Sequence, residues 1–449
     1  MYNSLIVPDL RLMLREGDAI GLRQFGEYLH PAVVAEVLGS MEPEEVWQVL
    51  SFSDLNLQVE IFQFFTIPQQ LELVEIVDRT RLSRLLEEMA ADDRDDLLGR
   101  LDPDIVERLL PLIAQAERND IRKLLSYEEN SAGSIMTTEY SSLSEDMTVT
   151  EGLAQLRQQA PDRETIYYIY IVDESRRLLG LVSLRELILA NPDRKLSEIM
   201  RRDIIFVNVH DDKEEVAQQL ARYDFLAIPV VDWGSHLVGI VTHDDILDVL
   251  QDEATEDAHR LGAVEPLEDS YLQTPMITIA WKRGVWLLFL SVVALITAKV
   301  LEGYKDVSAR YEWMLLFLPL VLASGGNTGS QSATLVIRTI ALGELPPKER
   351  VVMARRELLL GLFLGLALAM LGFFSAMFWF ELGTSQSAAI GLTVLLVVMM
   401  GSVTGALLPV MFKSLGMDPA LMSNPLIAAL VDVLGVVIYY TVTAIMLGS

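Results

Sequence analysis

A single carboxylate interrupts the last long apolar stretch of the sequence, and it is the strongest candidate for chemistry. Asp432 lies within residues 425–440, which are otherwise apolar, aromatic or small. A charge at the centre of a bilayer costs roughly 2.5–3.5 kcal/mol, so it survives only where it faces protein, water or a cation. Asn424, Ala428 and Asp432 are four residues apart and share one helical face. The pattern favours a cation path over a carboxylate paired to a basic residue, because few basic residues occur at that depth.

Charge is distributed unevenly along the chain. Residues 1–280 contain 54 Asp and Glu against 24 Lys and Arg, whereas residues 281–449 contain 9 against 11. A charge near −30 repels nucleic acid and attracts cations, so we expect no nucleic-acid partner. The sequence therefore predicts a soluble, acidic part followed by a membrane part that contacts lipid.

Cysteine and histidine usage excludes several kinds of site. The chain has no Cys, which rules out disulfides and thiolate metal sites, and its 5 His form no ligand pair. The membrane part has no His, no Cys and no paired acidic motif, so we do not expect an enzyme. We expect no signal peptide, because the apolar stretch at residues 2–7 is too short.

Residues 1–130 show the apolar spacing of short helices. Pro31, Pro43, Pro68 and Pro103 stand where helices begin, since proline suits the first turn. The repetition predicts a superhelix of stacked helical hairpins.

Residues 131–250 contain an internal repeat. Residues 168–183 match residues 227–242, and each copy is typical of helix, strand, turn, strand and helix. The pair resembles two CBS domains. That resemblance implies that Thr242 and Asp245 hold a nucleotide ribose, while Glu186 replaces the aspartate in the first copy. Adenine-nucleotide binding, with ATP as the candidate, and a pair that only dimerises both remain open.

An acidic helix connects the soluble and membrane parts. Residues 244–262 have a helical pattern and carry many carboxylates over about four turns. Like charges at this spacing repel each other, so the helix favours bound counter-ions. Its place before the first apolar segment makes it a possible gate element.

Five apolar segments follow, at about residues 281–300, 313–342, 358–380, 388–412 and 425–447. The second contains a glycine-rich polar insert at residues 324–331, which predicts either a helix break or close helix packing. Asp432 is the only carboxylate expected deep within a segment. Basic residues before the first segment and between the second and third predict a cytoplasmic N-terminal part, so five spans place the C-terminus outside.

Three motifs carry a family resemblance: Gly325-Gly-Asn-Thr-Gly-Ser-Gln-Ser, Asp418-Pro-Ala and Ser423-Asn-Pro-Leu, with Asp432 downstream. Through these motifs the chain resembles the MgtE-type magnesium channels over nearly its whole length. The resemblance implies a homodimer in which Asp432, Asn424 and the Ala428 carbonyl hold a hydrated Mg²⁺. It implies further Mg²⁺ ligands, which are Glu60, Asp92, Asp96, Asp212, Glu214, Ala221 (through its carbonyl), Asp224, Asp245, Asp248, Glu253, Glu256, Asp257 and Asp418.

The predicted fold is a multi-domain membrane protein with four parts: an all-α superhelix (1–130), an α/β CBS pair (131–250), a connecting plug helix (251–280) and five membrane helices (281–449). The predicted function is a Mg²⁺ channel of the cell membrane, closed by cytoplasmic Mg²⁺ and modulated by ATP. Oxygen ligands suit Mg²⁺, which keeps several waters. A nucleotide-regulated secondary transporter or exporter of divalent cations is the alternative, and a sensor that conducts nothing leaves Asp432 unexplained.

Overall fold

The computed structural model describes residues 3–113, 115–267, 271–272, 274–343 and 345–448. The chain divides into two compact units, residues 1–250 and residues 251–449. The first unit holds a helical region and two α/β repeats, and the second holds the long apolar helices.

Short helices build the N-terminal helical region. They are α1 (Asn3–Glu16), α2 (Ala19–Tyr28), α3 (Pro31–Leu38), α4 (Pro43–Leu50), α5 (Leu55–Gln63), α6 (Ile67–Ile76), α7 (Arg79–Glu88), α8 (Ala91–Arg100), α9 (Pro103–Leu109) and α10 (Gln115–Leu124). The four predicted prolines all lie at the first or second position of a helix, where a missing N–H leaves no carbonyl unpaired. From α3 to α6, each helix packs on the helix two places further along, which is the predicted stacking of hairpins.

Each repeat contains a three-stranded sheet. The first repeat consists of β1 (Tyr140–Ser144), α11 (Val149–Gln159), β2 (Thr165–Val172), β3 (Leu178–Ser183), α12 (Leu184–Leu189) and α13 (Leu196–Ile199). The second consists of β4 (Val207–Asn208), α14 (Lys213–Tyr223), β5 (Ala227–Val231), β6 (Leu237–Thr242) and α15 (His243–Leu261). In both sheets the middle strand pairs parallel to the first strand and antiparallel to the last.

The predicted order of helix, strand, turn, strand and helix missed the first strand of each repeat. β4 has only two residues, too few to show a period of two. β1 has five residues, but its sequence Tyr-Ser-Ser-Leu-Ser does not alternate between apolar and polar. The repeated segments themselves form β2 with β3 and β5 with β6, as predicted. The α15 helix covers the predicted acidic helical stretch and begins at the end of β6.

The second unit is helical. Its helices are α16 (Met276–Gly303), α17 (Lys305–Arg310), α18 (Trp313–Ala341), α19 (Arg350–Phe378), α20 (Thr384–Ser414) and α21 (Asn424–Leu447). Within the described residues, four helical segments are long and apolar enough to cross a membrane: Met276–Gly303, Pro347–Phe378, Thr384–Ser414 and Asn424–Leu447. The α18 helix has 29 residues, but its polar insert lowers its mean hydropathy, so its crossing stays a prediction.

Candidate functional site

The predicted ion-binding face lies on α21. Asn424, Ala428 and Asp432 are all half-buried in the single chain, and they follow one another along one side of the helix. The rise of an α-helix puts Asn424 and Asp432 about 12 Å apart along the axis. Gly326 of α18 lies against this face: a Cβ added there would stand 3.4 Å from the Ala428 Cβ and 3.8 Å from Asp432 Oδ1. The absence of a side chain at Gly326 therefore leaves room beside the carboxylate.

Hydrogen bonds from α18 hold the beginning of this face. Ser330 Oγ donates to the Asn424 carbonyl at 3.1 Å. The single proton of the Thr334 hydroxyl is shared between the Ser330 carbonyl at 2.9 Å and Asn424 Oδ1 at 3.2 Å. Both hydroxyls also lie on the part of α18 that is not fully buried. The polar face of α21 thus continues onto α18, and the two hydroxyls are contributors that the sequence did not single out. Their four-residue spacing from Gly326 and from each other is a signal that a helical interpretation of the insert could have used.

The alternative interpretation of Asp432, a carboxylate paired to a basic residue, has no support in the described part of the chain. No ion pair joins Asp432 to Lys, Arg or His there, and the carboxylate is half-buried. A half-buried carboxylate without a counter-charge on an apolar helix attracts a cation.

The glycine-rich insert permits close helix packing, and α18 is continuous through it. A Cβ added to Gly401 of α20 would stand 2.5 Å from the Gly325 carbonyl oxygen, and one added to Gly405 would overlap the Gly329 carbonyl. The backbones of α18 and α20 are therefore in direct contact. Of the two outcomes that the sequence left open, the structure favours packing over a break.

A second carboxylate, which the sequence analysis did not single out, is buried among the apolar helices. Glu357 of α19 is 8% exposed. Its Oε2 accepts hydrogen bonds from Ser332 Oγ of α18 at 2.7 Å and from Ser402 Oγ of α20 at 2.8 Å. The predicted third segment starts after Glu357 because charged residues precede Leu358, yet the helix runs unbroken from Arg350. Glu357 joins three helices through one carboxylate.

Carboxylates crowd together where α8 of the helical region meets the second repeat. We call this group the junction cluster; it consists of Asp92, Asp93, Glu139, Glu164, Asp244 and Asp245. Ala91 and Leu124 of the helical region pack into the core of the second repeat, so apolar contacts bring the carboxylates together. The sequence predicted Asp92 and Asp245 as ligands but missed Glu139 and Glu164, which are far from them in sequence.

Burial and mutual repulsion perturb the junction cluster. Burial, then Asp245, raises the pKa of Asp93 from 3.8 to about 6. The same two causes raise the pKa of Glu164 from 4.5 to about 7, and burial raises that of Asp92 well above its usual value. Asp92 Oδ1 is buried without a hydrogen-bond partner among the described residues. A divalent cation would relieve this repulsion, because an opposite charge favours the ionised form.

The other predicted ligands are dispersed over the first unit. Glu60 and Asp96 are exposed on α5 and α8. Asp212 caps α14 by accepting a hydrogen bond from the Glu214 N–H at 2.8 Å, and Asp224 ends the same helix with φ 52°. Across the described ranges, no three Asp, Glu or His side chains converge on a position that could hold a metal by themselves. Mg²⁺ tolerates this, since it usually keeps several waters and needs only one or two carboxylates.

The end of α15, from residue 251 onward, belongs to the second unit and contacts the helices within that unit. Arg260 forms ion pairs with Glu256 and with Asp418, a predicted ligand that lies between α20 and α21. Leu261 packs on an apolar cluster that includes Ile427 of α21. Burial raises the pKa of Asp257, against the opposing effect of Arg260. The acidic residues Asp248 and Glu253 lie on the earlier turns of α15.

The predicted nucleotide-binding residues Thr242 and Asp245 lie among other carboxylates, whereas Ser183 and Glu186, their counterparts in the first repeat, line a cavity. Thr242 is buried, and its hydroxyl donates to Asp244 Oδ1 at 2.6 Å and also to Asp245. Asp245 belongs to the junction cluster. A cavity of about 300 Å³ lies between the two repeats instead, beside Ser183 and Glu186. Tyr168 of the first repeat and Phe225 and Pro229 of the second are in its wall. The open nucleotide-sized space is thus next to the copy whose motif departs from the family pattern.

Three family models match the chain. The model described as a divalent cation transporter matches residues 318–442, the MgtE intracellular N domain matches residues 29–130, and the CBS domain matches residues 132–193 and 196–252. The magnesium transporter MgtE of Thermus thermophilus is 39% identical over 447 residues, which are 99% of each chain. The chain belongs to the MgtE family.

Two further similarities agree with MgtE membership. The magnesium transporter MgtE of Bacillus subtilis is 31% identical over 452 residues, which cover 100% of this chain and 98% of that one. A crystal structure of the cytosolic domain of the Mg²⁺ channel MgtE in complex with ATP has a TM-score of 0.51 and 41% identity, over 54% of this chain and 98% of its own. The MgtE family therefore confirms the predicted membrane transporter, its helical N domain and its CBS pair, and excludes an enzyme.

Proposed function

We propose that the chain forms a homodimeric Mg²⁺ channel of the cell membrane, with Asp432 as the carboxylate of the ion path. The observation that carries this proposal is a half-buried carboxylate on an apolar helix, without a basic partner among the described residues. A carboxylate in this setting requires a cation or water. The magnesium transporters to which the chain is similar supply the identity of the cation.

A dimer explains why the polar face of α21 is half-buried in one chain. Two copies of Asn424, Ala428 and Asp432 facing each other across a twofold axis would surround a path with two carboxylates, two amides and backbone carbonyls. Mg²⁺ dehydrates reluctantly, so a path of this kind suits an ion that keeps most of its water shell. The hydroxyls of Ser330 and Thr334 would fix the entrance by holding Asn424.

Cytoplasmic Mg²⁺ would close the channel through the junction cluster. The raised pKa values of Asp93 and Glu164 mean that the ionised carboxylates disfavour the packing of α8 on the second repeat. Bound Mg²⁺ offsets this repulsion and stabilises the packed form, which is a population shift driven by tighter binding to one state. The remaining acidic positions named above would add further bridging ions.

The plug role falls to the part of α15 that contacts the second unit's own helices. Arg260 and Leu261 attach the end of α15 beside the beginning of α21 through an ion pair and apolar packing. Asp418 would then act as an anchor for Arg260, in place of the ligand role implied by the family resemblance. Movement of α15 would therefore shift the beginning of α21, where the ion path lies.

ATP would bind in the cavity beside Ser183 and Glu186 and modulate the channel. Tyr168, Phe225 and Pro229 offer a surface for a base, and Ser183 with Glu186 offers the hydroxyl and carboxylate that suit a ribose. Burial alone would raise the pKa of Glu186, but hydrogen bonds from Ser183 and Arg201 lower it overall, so the acceptor stays ionised. Thr242 and Asp245 serve the junction cluster in this proposal.

The proposed topology follows the basic residues. The helical region and CBS pair would lie in the cytoplasm, and five spans, with α18 as the second, would put the C-terminus outside. The functional division at residues 1–130, 131–250, 251–280 and 281–449 belongs to this proposal.

A coupled secondary transporter is the second candidate, and Glu357 favours it. A second buried carboxylate among the membrane helices could carry a coupling ion or proton. Its two serine partners argue for a fixed structural role instead, because both hydrogen bonds tie neighbouring helices.

Mg²⁺ flux into proteoliposomes tests the proposal. We compare the wild type, Asp432→Asn and the control Asp306→Asn, which removes an exposed carboxylate on α17. Loss of about 3 kcal/mol of ion stabilisation should reduce flux about 100-fold in Asp432→Asn only. Normal flux in Asp432→Asn would sink the ion-path assignment. Flux that is insensitive to Mg²⁺ on the soluble side would sink the gating account, and rates too slow for a pore would favour the coupled transporter.

A further inference from the structure

A second cavity, of about 500 Å³, lies in the first unit where α10 meets both repeats. Its wall includes Lys123 of α10, Arg163 just before β2, Arg176 at the turn between β2 and β3, and His236 at the matching turn of the second repeat. It shares no lining residue with the cavity beside Ser183 and Glu186. The volume is within the range of small-ligand sites.

The charge of this cavity is opposite to that of the surrounding part of the chain. Three permanently cationic side chains, Lys123, Arg163 and Arg176, face one carboxylate, Glu139. Acidic residues outnumber basic ones more than two to one over residues 1–280. Cations that share a concave wall repel one another, so this grouping is unfavourable unless an anion occupies the space.

The Arg176 side chain is held in place at its turn. Arg176 Nη2 donates to the Tyr140 hydroxyl at 2.5 Å, and that hydroxyl donates to the Leu237 carbonyl at 2.9 Å. Arg176 has φ 64°, a conformation that residues with a β-carbon rarely adopt. The matching turn of the second repeat has Ser235 with φ 62°, so the fold sets the turn and this chain places a guanidinium on it.

Arg163 adds a second guanidinium to the wall of the cavity. Its Nε is buried and has no hydrogen-bond partner among the residues that the structure describes. Because this atom is enclosed by protein, the remaining N–H donors of the guanidinium are the ones available to a ligand in the cavity. A guanidinium is suited to bind phosphate through paired N–H donors.

We propose that this cavity binds a small phosphate-bearing anion, held by Arg163, Arg176 and Lys123. The wall offers cations and hydroxyls, and Tyr140 is its one phenolic residue, so it suits the phosphate groups of a ligand without requiring a base. Lys123 belongs to the helical region, whereas the two arginines belong to the first repeat. The anion therefore links the two parts. Glu139, a member of the junction cluster, also lines this cavity.

Anion binding at this cavity would have a regulatory effect, which rests on the proposed function. An anion that joins α10 to the repeats stabilises the same packed form that Mg²⁺ stabilises at the junction cluster. The two ligands should therefore each increase the affinity for the other, because such coupling is reciprocal.

Calorimetric titration of the full-length protein in detergent with inorganic pyrophosphate, after chelation of divalent cations, tests the site. We expect saturable binding of one pyrophosphate per chain. Removal of one charged donor in Arg163→Gln or Arg176→Gln should weaken binding about tenfold or more. Arg177→Gln removes a neighbouring charge that does not line the cavity, and it should leave the affinity unchanged.

Two comparisons keep the outcome decisive. Equal binding by the wild type and both arginine variants would overturn the proposal, as would loss of pyrophosphate binding in Phe225→Ala, since that result would assign the anion to the other cavity. Lys123 is exposed, so Lys123→Gln should fold normally. If the arginine variants do not fold, weaker pyrophosphate binding by Lys123→Gln gives the same test. Spin-label distances between α10 and β2 would test the link between the helical region and the first repeat. If pyrophosphate binds without bringing these elements closer, the binding site stands but the coupling to Mg²⁺ is refuted. If the elements come closer but the protein shows no Mg²⁺ flux, the channel proposal fails and the anion site stands.

Discussion

Helices α18 and α20 of the second unit meet backbone to backbone, whereas α8 and the second repeat of the first unit meet across carboxylates. Gly325 and Gly329 leave no space for a side chain opposite Gly401 and Gly405. At the junction cluster, Asp92, Asp93, Glu164 and Asp245 stand close together with raised pKa values. The first contact contains no charged group and needs no ligand, whereas the second is unfavourable unless a proton or a cation is bound.

The same distinction separates single carboxylates from crowded ones. Glu357 is buried with two serine donors, so its charge is satisfied within the protein. The junction carboxylates repel each other, so their packing depends on the solution. Burial alone therefore does not make an acidic residue a sensor. The junction carboxylates differ from Glu357 because other carboxylates lie beside them and raise their pKa values.

The largest expected effect comes from filling the glycine contact. In Gly405→Ala the new methyl would overlap the Gly329 backbone, which cannot rotate away, so we expect a loss of about 3 kcal/mol in stability. Gly284→Ala is the matched control, because a Cβ there meets nothing within 4 Å. Thermal unfolding in detergent, followed by size-exclusion chromatography, measures both. Equal stability of the two variants would contradict the backbone contact.

Removing the internal acceptor should have the next largest effect. Glu357→Leu leaves the Ser332 and Ser402 hydroxyls without their shared acceptor, so we expect a loss of about 2 kcal/mol in the same unfolding assay. Glu357→Gln keeps an oxygen acceptor and should lose less. If Glu357→Gln instead abolished transport while unfolding normally, the carboxylate would have a role in coupling.

Neutralising part of the junction cluster should raise the Mg²⁺ concentration that gives half-maximal packing by about tenfold. Fewer carboxylates remain to bind the ion, and less repulsion remains for the ion to offset. The variant is Asp92→Asn with Glu164→Gln. Glu72→Gln with Glu75→Gln removes the same charge from α6, outside the junction cluster, and serves as the control.

The packing can be followed by the distance between spin labels on cysteines introduced at Asp9 and Glu174, because the chain has no Cys of its own. An unchanged Mg²⁺ titration in the double variant would remove the junction cluster from the regulatory account.

The smallest expected effect is a pH dependence of the same distance without divalent cations. Asp93 and Glu164 bind protons more tightly in the packed form, with pKa values of about 6 and about 7, than when separated. Packing should therefore be strongest at low pH and weaken as pH rises from about 4 to about 7, with little change above. The distribution should shift towards the packed form between about pH 7.5 and about pH 5.5. A shift in the opposite direction would contradict the repulsion between these carboxylates.

The sequence by itself determined the parts that depend on local pattern. Prolines at helix starts, the apolar spacing of α3 to α9, the paired β-segments and the long apolar helices all follow from neighbouring residues. The spacing of Asn424, Ala428 and Asp432 is also enough to place the candidate face on one side of α21, because a helix brings every fourth residue to the same side.

Only the tertiary structure decided which distant residues share an environment. Glu357 meets Ser332 and Ser402 on two other helices, Glu164 joins Asp92, and Arg163 shares a cavity with Lys123. No periodicity links these positions, since their proximity depends on how helices and sheets pack. A carboxylate is satisfied, repelled or available to a cation according to the donors and charges around it, and those neighbours come from remote parts of the chain.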